Sequence, residues 1–151
     1  MRVLVIFPIE FEIDPRLGYD TVIVRALETE CSVDDATRQW SAMVLETQLV
    51  PIDRAIARWA HSVHLGVAVE SGTVPKRVPP QCRKTMWGTM ASHLTVKSHD
   101  ELIQGVDKVI VFARSRVADD PYNMVASRAT NAGKLVSRHV LAVVAGKIVV
   151  G

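Results

Sequence analysis

Apolar residues run along the chain in two alternating rhythms. Val3 to Phe7 is a continuous β-branched and apolar run, the pattern of a strand buried on both faces of a parallel sheet. Asp14-Pro15 then supplies a helix cap and a first-turn proline, and Tyr19, Val22, Ile23, Ala26 and Leu27 recur at helical spacing. That is one apolar stripe facing a sheet. The polar stretch Ser32 to Gln39 predicts a short separate turn of helix capped by Ser32 with Asp35. Ala42 to Leu45 predicts the second strand. Ile52, Ala55, Ile56, Trp59, Ala60 and Val63 predict a second helix over Pro51 to His64, with Gly66 as its terminating signal.

Val67 to Val69 reads as a third short strand, followed by a long segment with prolines and glycines in which no periodicity survives. Lys97 to Gln104 predicts a brief helix ended by Gly105, and Lys108 to Phe112 a fourth buried strand. Tyr122 to Ala132 predicts a helix capped by Asp120, opened by Pro121 and closed by Gly133. Lys134 to Val136 begins strand five. Val140 to Val144 and Lys147 to Val150 flank Ala145-Gly146, the pattern of an added C-terminal hairpin or edge strand. Strand and helix alternate through most of the chain, so the expected class is α/β, a doubly wound, mainly parallel sheet with right-handed crossovers. Residues 1–151 are expected to form one domain. Ligands of such sheets lie beyond the carboxyl ends of the strands, which singles out Pro8 to Ile13, Glu46 to Asp53, Glu70 to Leu94 and Ala113 to Asp120.

Composition narrows the class without naming a function. With 151 residues, 48% hydrophobic and 23% charged, the chain matches an ordinary globular domain and neither a disordered nor a collagen-like one. The first apolar run is too short to span a bilayer and carries no signal-type cleavage site. Cys31 and Cys82 show no Cys-x-x-Cys spacing, which fits free thiols in a reducing compartment, hence a cytoplasmic location. The net charge is only +2, but from Ser71 to His99 every charged residue is basic: Lys76, Arg77, Arg83, Lys84 and Lys97. That segment is either a solvated basic loop or a contact for an anion.

The glycine signatures that cradle phosphates, G-x-G-x-x-G and G-x-x-x-x-G-K-[ST], are absent. Where a phosphate loop would meet the second helix, the chain reads Glu46 to Arg54 with no glycine. Side chains there hold a phosphate away from the backbone amides, leaving Thr47, Gln48 and Arg54 to hydrogen-bond a smaller polar group. Other residue sets each have a structural alternative. His61 and His64, three apart, either share a metal or complement a helix C-terminus. Asp119-Asp120 supplies acid and base or, through Asp120 before Pro121, a cap. Cys82 among basic residues is a reactive thiol or an inert one. Trp59 lies on an apolar stripe and belongs to the core, while Trp87 in the basic segment stacks a base or anchors the loop.

The order of these segments resembles the SLOG superfamily, in particular its YspA-type branch, related to the Lonely Guy phosphoribohydrolases and the DNA-processing protein DprA. The resemblance covers residues 1–136, leaving 137–151 as a strand extension. It rests on Met1-Arg2-Val3-Leu4-Val5-Ile6, Phe11, Asp14-Pro15, Asp53-Arg54, Arg58-Trp59-Ala60, Lys97-Ser98, Gly105, Asp107 and Ala132-Gly133-Lys134-Leu135-Val136. Where the family carries a His-Gly-Gly loop, this chain has Glu46, Thr47, Gln48 and Pro51; where the family carries Pro-Gly-Gly-x-Gly-Thr, it has Ala113-Arg114-Ser115-Arg116.

The resemblance implies a Rossmann-like sheet and a nucleotide or nucleotide-derived ligand. Lonely Guy enzymes hydrolyse an N-glycosidic bond with an Arg and a Glu, and no residue here is placed on that pair. Arg114 and Arg116 are positioned to bind an anion by charge in place of the missing amides, or are simply solvated. The resulting expectation is a degenerate, non-catalytic SLOG-type domain binding a small anionic ligand between the carboxyl ends of strands two and four. Thr47, Gln48, Asp53, Arg54, Lys97, Ser98, Arg114, Ser115 and Asn123 would line the site, with no metal, no cofactor and no catalytic residue assigned. Two alternatives stand beside it. One is an interaction protein with a decayed pocket that binds a protein partner or forms a homo-oligomer through the hairpin. The other is a surviving N-glycoside hydrolase or nucleoside transferase. Membrane and nucleic acid are not expected as partners.

Overall fold

A computed structural model describes residues 1–8, 11, 15–35, 39–45, 51–69, 99–116 and 120–151. The elements in chain order are β1 (Arg2–Ile6), a 3-10 turn (Pro15–Leu17), α1 (Tyr19–Asp35), β2 (Ala42–Leu45), α2 (Pro51–Ser62), β3 (Gly66–Val69), α3 (His99–Gln104), β4 (Lys108–Ala113), α4 (Pro121–Asn131), β5 (Leu135–Val144) and β6 (Lys147–Val150). The strands form one sheet in the order β3-β2-β1-β4-β5-β6. All neighbours run parallel except β5 and β6. This is a Rossmann-like α/β fold with an added hairpin.

Pleating sends alternate side chains of the central strands to opposite layers. Val3, Val5, Ile110 and Phe112 meet Ile23 and Leu27 of α1 and Ile52, Ile56 and Trp59 of α2. Leu4, Ile6, Val109 and Val111 meet Leu102 and Ile103 of α3 and Val125, Ala126 and Ala129 of α4. Trp59 is core, packed edge-on against Trp40. Asp107 fixes the start of the central pair: its side chain accepts from Arg2 N at 2.9 Å, and its own N–H donates to Arg2 O at 2.9 Å.

Four local expectations are corrected. The Asp14-Pro15 signal leads into the 3-10 turn, and the α-helix starts only at Tyr19, after Gly18 at φ +69°. Ser32 does not cap a separate turn: α1 continues through Asp35, and the Ser32 hydroxyl donates to Glu28 O one turn back. Helix α2 ends not on Gly66 but on His64 at φ +61°. His64 N–H donates to His61 O and Leu65 N–H to Ala60 O, the paired closure of a left-handed cap, and Gly66 opens β3. The two runs around Ser137 to His139 are one strand, because Leu135 to Val140 all pair with β4. The cap signals of α4 hold. Asp120 accepts from Tyr122 N at 2.9 Å, Pro121 opens the helix, and Gly133 at φ +78° closes it. The turn Ala145-Gly146 has both φ values positive (52° and 75°), as a two-residue hairpin demands.

The buried stripe of α1 turns polar in its second half, where Glu30 and Asp34 follow Tyr19, Ile23 and Leu27 around the same face. Lys108 at the start of β4 pairs with Asp34 and, at 3.6 Å, with Glu30. Asp34 also accepts from Trp40 Nε1 at 2.8 Å. Glu30 meets His139 Nε2 at 3.1 Å, and the His139 ring stacks on Phe112. This strip docks α1 across β4 and β5. Removing one partner of such a group leaves charge desolvated and uncompensated, so Lys108→Ala is expected to cost about 3 kcal/mol, read from urea unfolding at pH 7. Burial raises the Glu30 pKa, but hydrogen bonds from His139 and Ser137 and the charge of Lys108 outweigh it and hold the carboxyl below its ordinary value. Glu30 therefore stabilises the fold above its unfolded pKa, and that contribution fades as pH falls through the lower folded value. Glu30→Gln should flatten the decline of stability with acid below about pH 4.5, measured as unfolding free energy against pH.

Candidate functional site

In a sheet of this order the chain reverses direction between β1 and β4, and the crevice opens at their carboxyl ends. Because β1 lies between β2 and β4, a ligand between the carboxyl ends of strands two and four would be centred on the end of β1. The β1 side turns back tightly. Phe11 N–H donates to Pro8 O at 3.2 Å, and the Phe11 ring stacks on Tyr19 with centroids 4.2 Å apart. Both rings are buried, so they close the core beneath the edge.

Of the expected site residues, Thr47, Gln48, Lys97 and Ser98 lie outside the described residues. The other five fall in two groups on opposite faces of the sheet. Asp53 and Arg54 stand in the first turn of α2, on the α1 face; Asp53 is buried, and Arg54 is exposed. An acidic residue in that turn also complements the helix dipole. Arg114, Ser115 and Asn123 stand where β4 passes into α4, on the other face. A ligand touching both groups must straddle the end of β1.

The β4–α4 side is built around Asn123, which is only 3% exposed. Its Nδ2 donates to Ser115 O at 2.9 Å, and its Oδ1 accepts from Arg138 Nη1 at 3.3 Å. Asn123 is thus a brace rather than an open ligand contact. It holds the turn after β4 onto α4 and draws in Arg138 from β5. Arg114 approaches Asp120 Oδ2 at 3.7 Å while its side chain stays 44% exposed, a loose pair of small energetic value that leaves the guanidinium within reach of solvent. Arg116 lies beside the end of the hairpin: a Cβ at Gly151 would come within 2.8 Å of its Nη2. Arg114 is thus at Asp120, Arg138 at Asn123 and Arg116 at Gly151, three guanidiniums with separate partners on the turn and its neighbouring strands, each a group that suits the oxygens of an anion.

The sequence pattern does not single out Arg138, because it falls between the two apolar runs Leu135-Val136 and Val140 to Val144. One continuous strand puts Val136, Arg138 and Val140 on the α4 face by alternation. His61 and His64 are both exposed, and among the described residues no three His, Cys, Asp or Glu side chains form a metal-sized group. Cys31 is a free thiol whose pKa is pushed up by burial and by Asp35 and Asp34, the opposite of nucleophile activation. Cys82, Trp87 and Asp119 lie outside the described residues, as does the basic segment except for His99. No helix among the described residues is long and apolar enough to cross a membrane. No family model, curated protein or solved structure matches the chain.

Asp120 caps α4 and faces Arg114, and these roles separate by substitution. Asp120→Ala is expected to destabilise the fold by about 1 kcal/mol through loss of the cap. Asp120→Asn retains a capping oxygen and should recover most of that loss; chemical unfolding of the two variants checks the difference.

Proposed function

We propose that this domain binds a small anionic, nucleotide-derived molecule at the carboxyl edge of its sheet and does not transform it. The observation that carries this reading is that Arg114 and Arg116 follow β4 on the β4–α4 turn and Arg138 reaches Asn123, the residue that braces that turn. Both turns where glycines would expose backbone amides to phosphate, Glu46 to Pro51 and Ala113 to Asp120, lack glycine. Guanidinium groups replace the amide cradle with charge and forked donors, which favours phosphate or carboxylate oxygens over neutral groups. Departure from the glycine pattern also supports a SLOG-type binder over an N-glycoside hydrolase, because cleavage needs the scissile bond held in one fixed geometry. A cytoplasmic setting is consistent with the free thiol of Cys31.

A second reading, an interaction protein with a decayed pocket, draws on the valines exposed along β5 and β6. Thermal unfolding against nucleoside monophosphates, cyclic dinucleotides and ADP-ribose derivatives separates the two. A true ligand at a hundred times its dissociation constant adds about 2.7 kcal/mol, which for a domain of this size raises Tm by roughly 5–10 °C. The rise should disappear in Arg114→Ala and shrink in Arg138→Ala. No shift with any member of the panel favours the interaction protein. Release of free base from a nucleotide, lost in Arg114→Ala, would establish the hydrolase instead.

A further inference from the structure

Among the described residues no strand covers the outer edge of the β5–β6 hairpin, and the backbone pattern there is self-complementary. Val140 and Gly151 exchange both main-chain hydrogen bonds, at 3.1 and 2.9 Å, and the register continues through Ala142 with Val149 and Val144 with Lys147. In an antiparallel ladder such pairs alternate, so the main-chain groups of Lys147, Val149 and Gly151 point at β5 and those of Ile148 and Val150 point outward. No described strand pairs with that outer edge. Val143, Val144, Val149 and Val150 are 46%, 58%, 47% and 55% exposed and occupy both faces of the hairpin.

We propose that β6 pairs with β6 of a second copy across a two-fold axis, joining two sheets into one. A two-fold antiparallel pairing has only a few registers that use the outward groups. Centred on Val149, it places Ile148 opposite Val150 and Val150 opposite Ile148, so that all four outward N–H and all four outward C=O groups of the two strands are paired. The three central cross-strand pairs are then aliphatic and β-branched, the combination that pairs well on a pleated surface. Lys147 falls opposite Gly151, beside which Arg116 stands. Centring on Ile148 instead sets Lys147 against Val149 twice and interrupts the aliphatic pairing. The surface contributed by four-residue strands is below the roughly 800 Å² per partner of stable complexes, so the pairing is reversible and depends on concentration. It uses neither the arginines nor any ligand.

Centring on Val149 makes that residue a non-hydrogen-bonded pair with its own copy, with Cα atoms about 4.5 Å apart, inside the span a disulfide bridges. The test is Val149→Cys with Cys31→Ser and Cys82→Ser, oxidised mildly at increasing protein concentration. The expected result is a covalent dimer that forms faster at higher concentration and is at least about tenfold reduced when Val150→Asp sets a desolvated carboxylate opposite the partner's Ile148. A chain that stays monomeric under oxidation while its new thiol reacts freely with a thiol reagent overturns the proposal. So does cross-linking of Val143→Cys, on β5, in preference to Val149→Cys, which would place the contact on the hairpin face. Sedimentation of the unaltered chain gives an independent check: a rise in mean mass with concentration supports the pairing, and a constant monomer mass up to the highest concentrations contradicts it.

Discussion

β1 and β4 lie side by side at the centre of the sheet, their inner residues 0–1% exposed, and strands so placed must be covered above and below. A parallel sheet cannot be closed by hairpins, so each return to the same end passes over a face and brings a layer with it. Here α1 and α2 take one face and α3 and α4 the other. The switch between faces falls at the β1–β4 boundary, the position at which ligands of such sheets lie. The location of the candidate site is thus a consequence of how the core is covered. Which side chains the site carries is a separate matter.

The strip formed by Lys108, Asp34, Glu30 and His139 lies beside the apolar contacts of Ile110, Phe112 and Leu141 on the α1 side of β4 and β5. Hydrophobic contact is nondirectional and would tolerate small rotations of α1 about its axis. Paired charges with defined hydrogen bonds tolerate far less, so the strip fixes the angle at which α1 crosses the strands. It also lies on the opposite face from the arginines: Ser137 and His139 of β5 face α1, while Arg138 between them faces α4. One strand therefore serves two polar networks through its alternation alone.

Asn123 links local and tertiary levels at the site. Its side chain is nearly inaccessible, and both of its polar ends are committed within the protein. An amide in that position orders a turn that has no glycine to adopt special backbone angles, and it does so between a helix, a loop and a strand from separate parts of the chain. Arg114 and Arg116 directly follow β4 and Arg138 lies within β5, so these charges are carried on or beside strands of the sheet, the kind of element on which binding sites are built. At the other end of the sheet's width, the exposed valines of the hairpin form a surface of different chemistry.

Local signals in the chain determined the alternation of strands and helices, the both-face burial of Val3 to Ile6 and Val109 to Phe112, the Asp120-Pro121 start and Gly133 stop of α4, and the Ala145-Gly146 turn. Each is encoded by neighbours within one or two turns of chain, where propensity and periodicity act directly. The end of α2 on His64 in place of Gly66, the run of α1 through Ser32, and the continuity of β5 across Ser137, Arg138 and His139 were decided by packing. The polar residues concerned there have partners, among them Glu30 for His139 and Asn123 for Arg138, that are distant in sequence. The site follows the same division. Arg114 and Ser115 were legible as residues beyond a buried strand, whereas Arg138 and the bracing role of Asn123 were not, because an alternating polar residue reveals its face only when the strand's full length and its neighbour across the sheet are fixed.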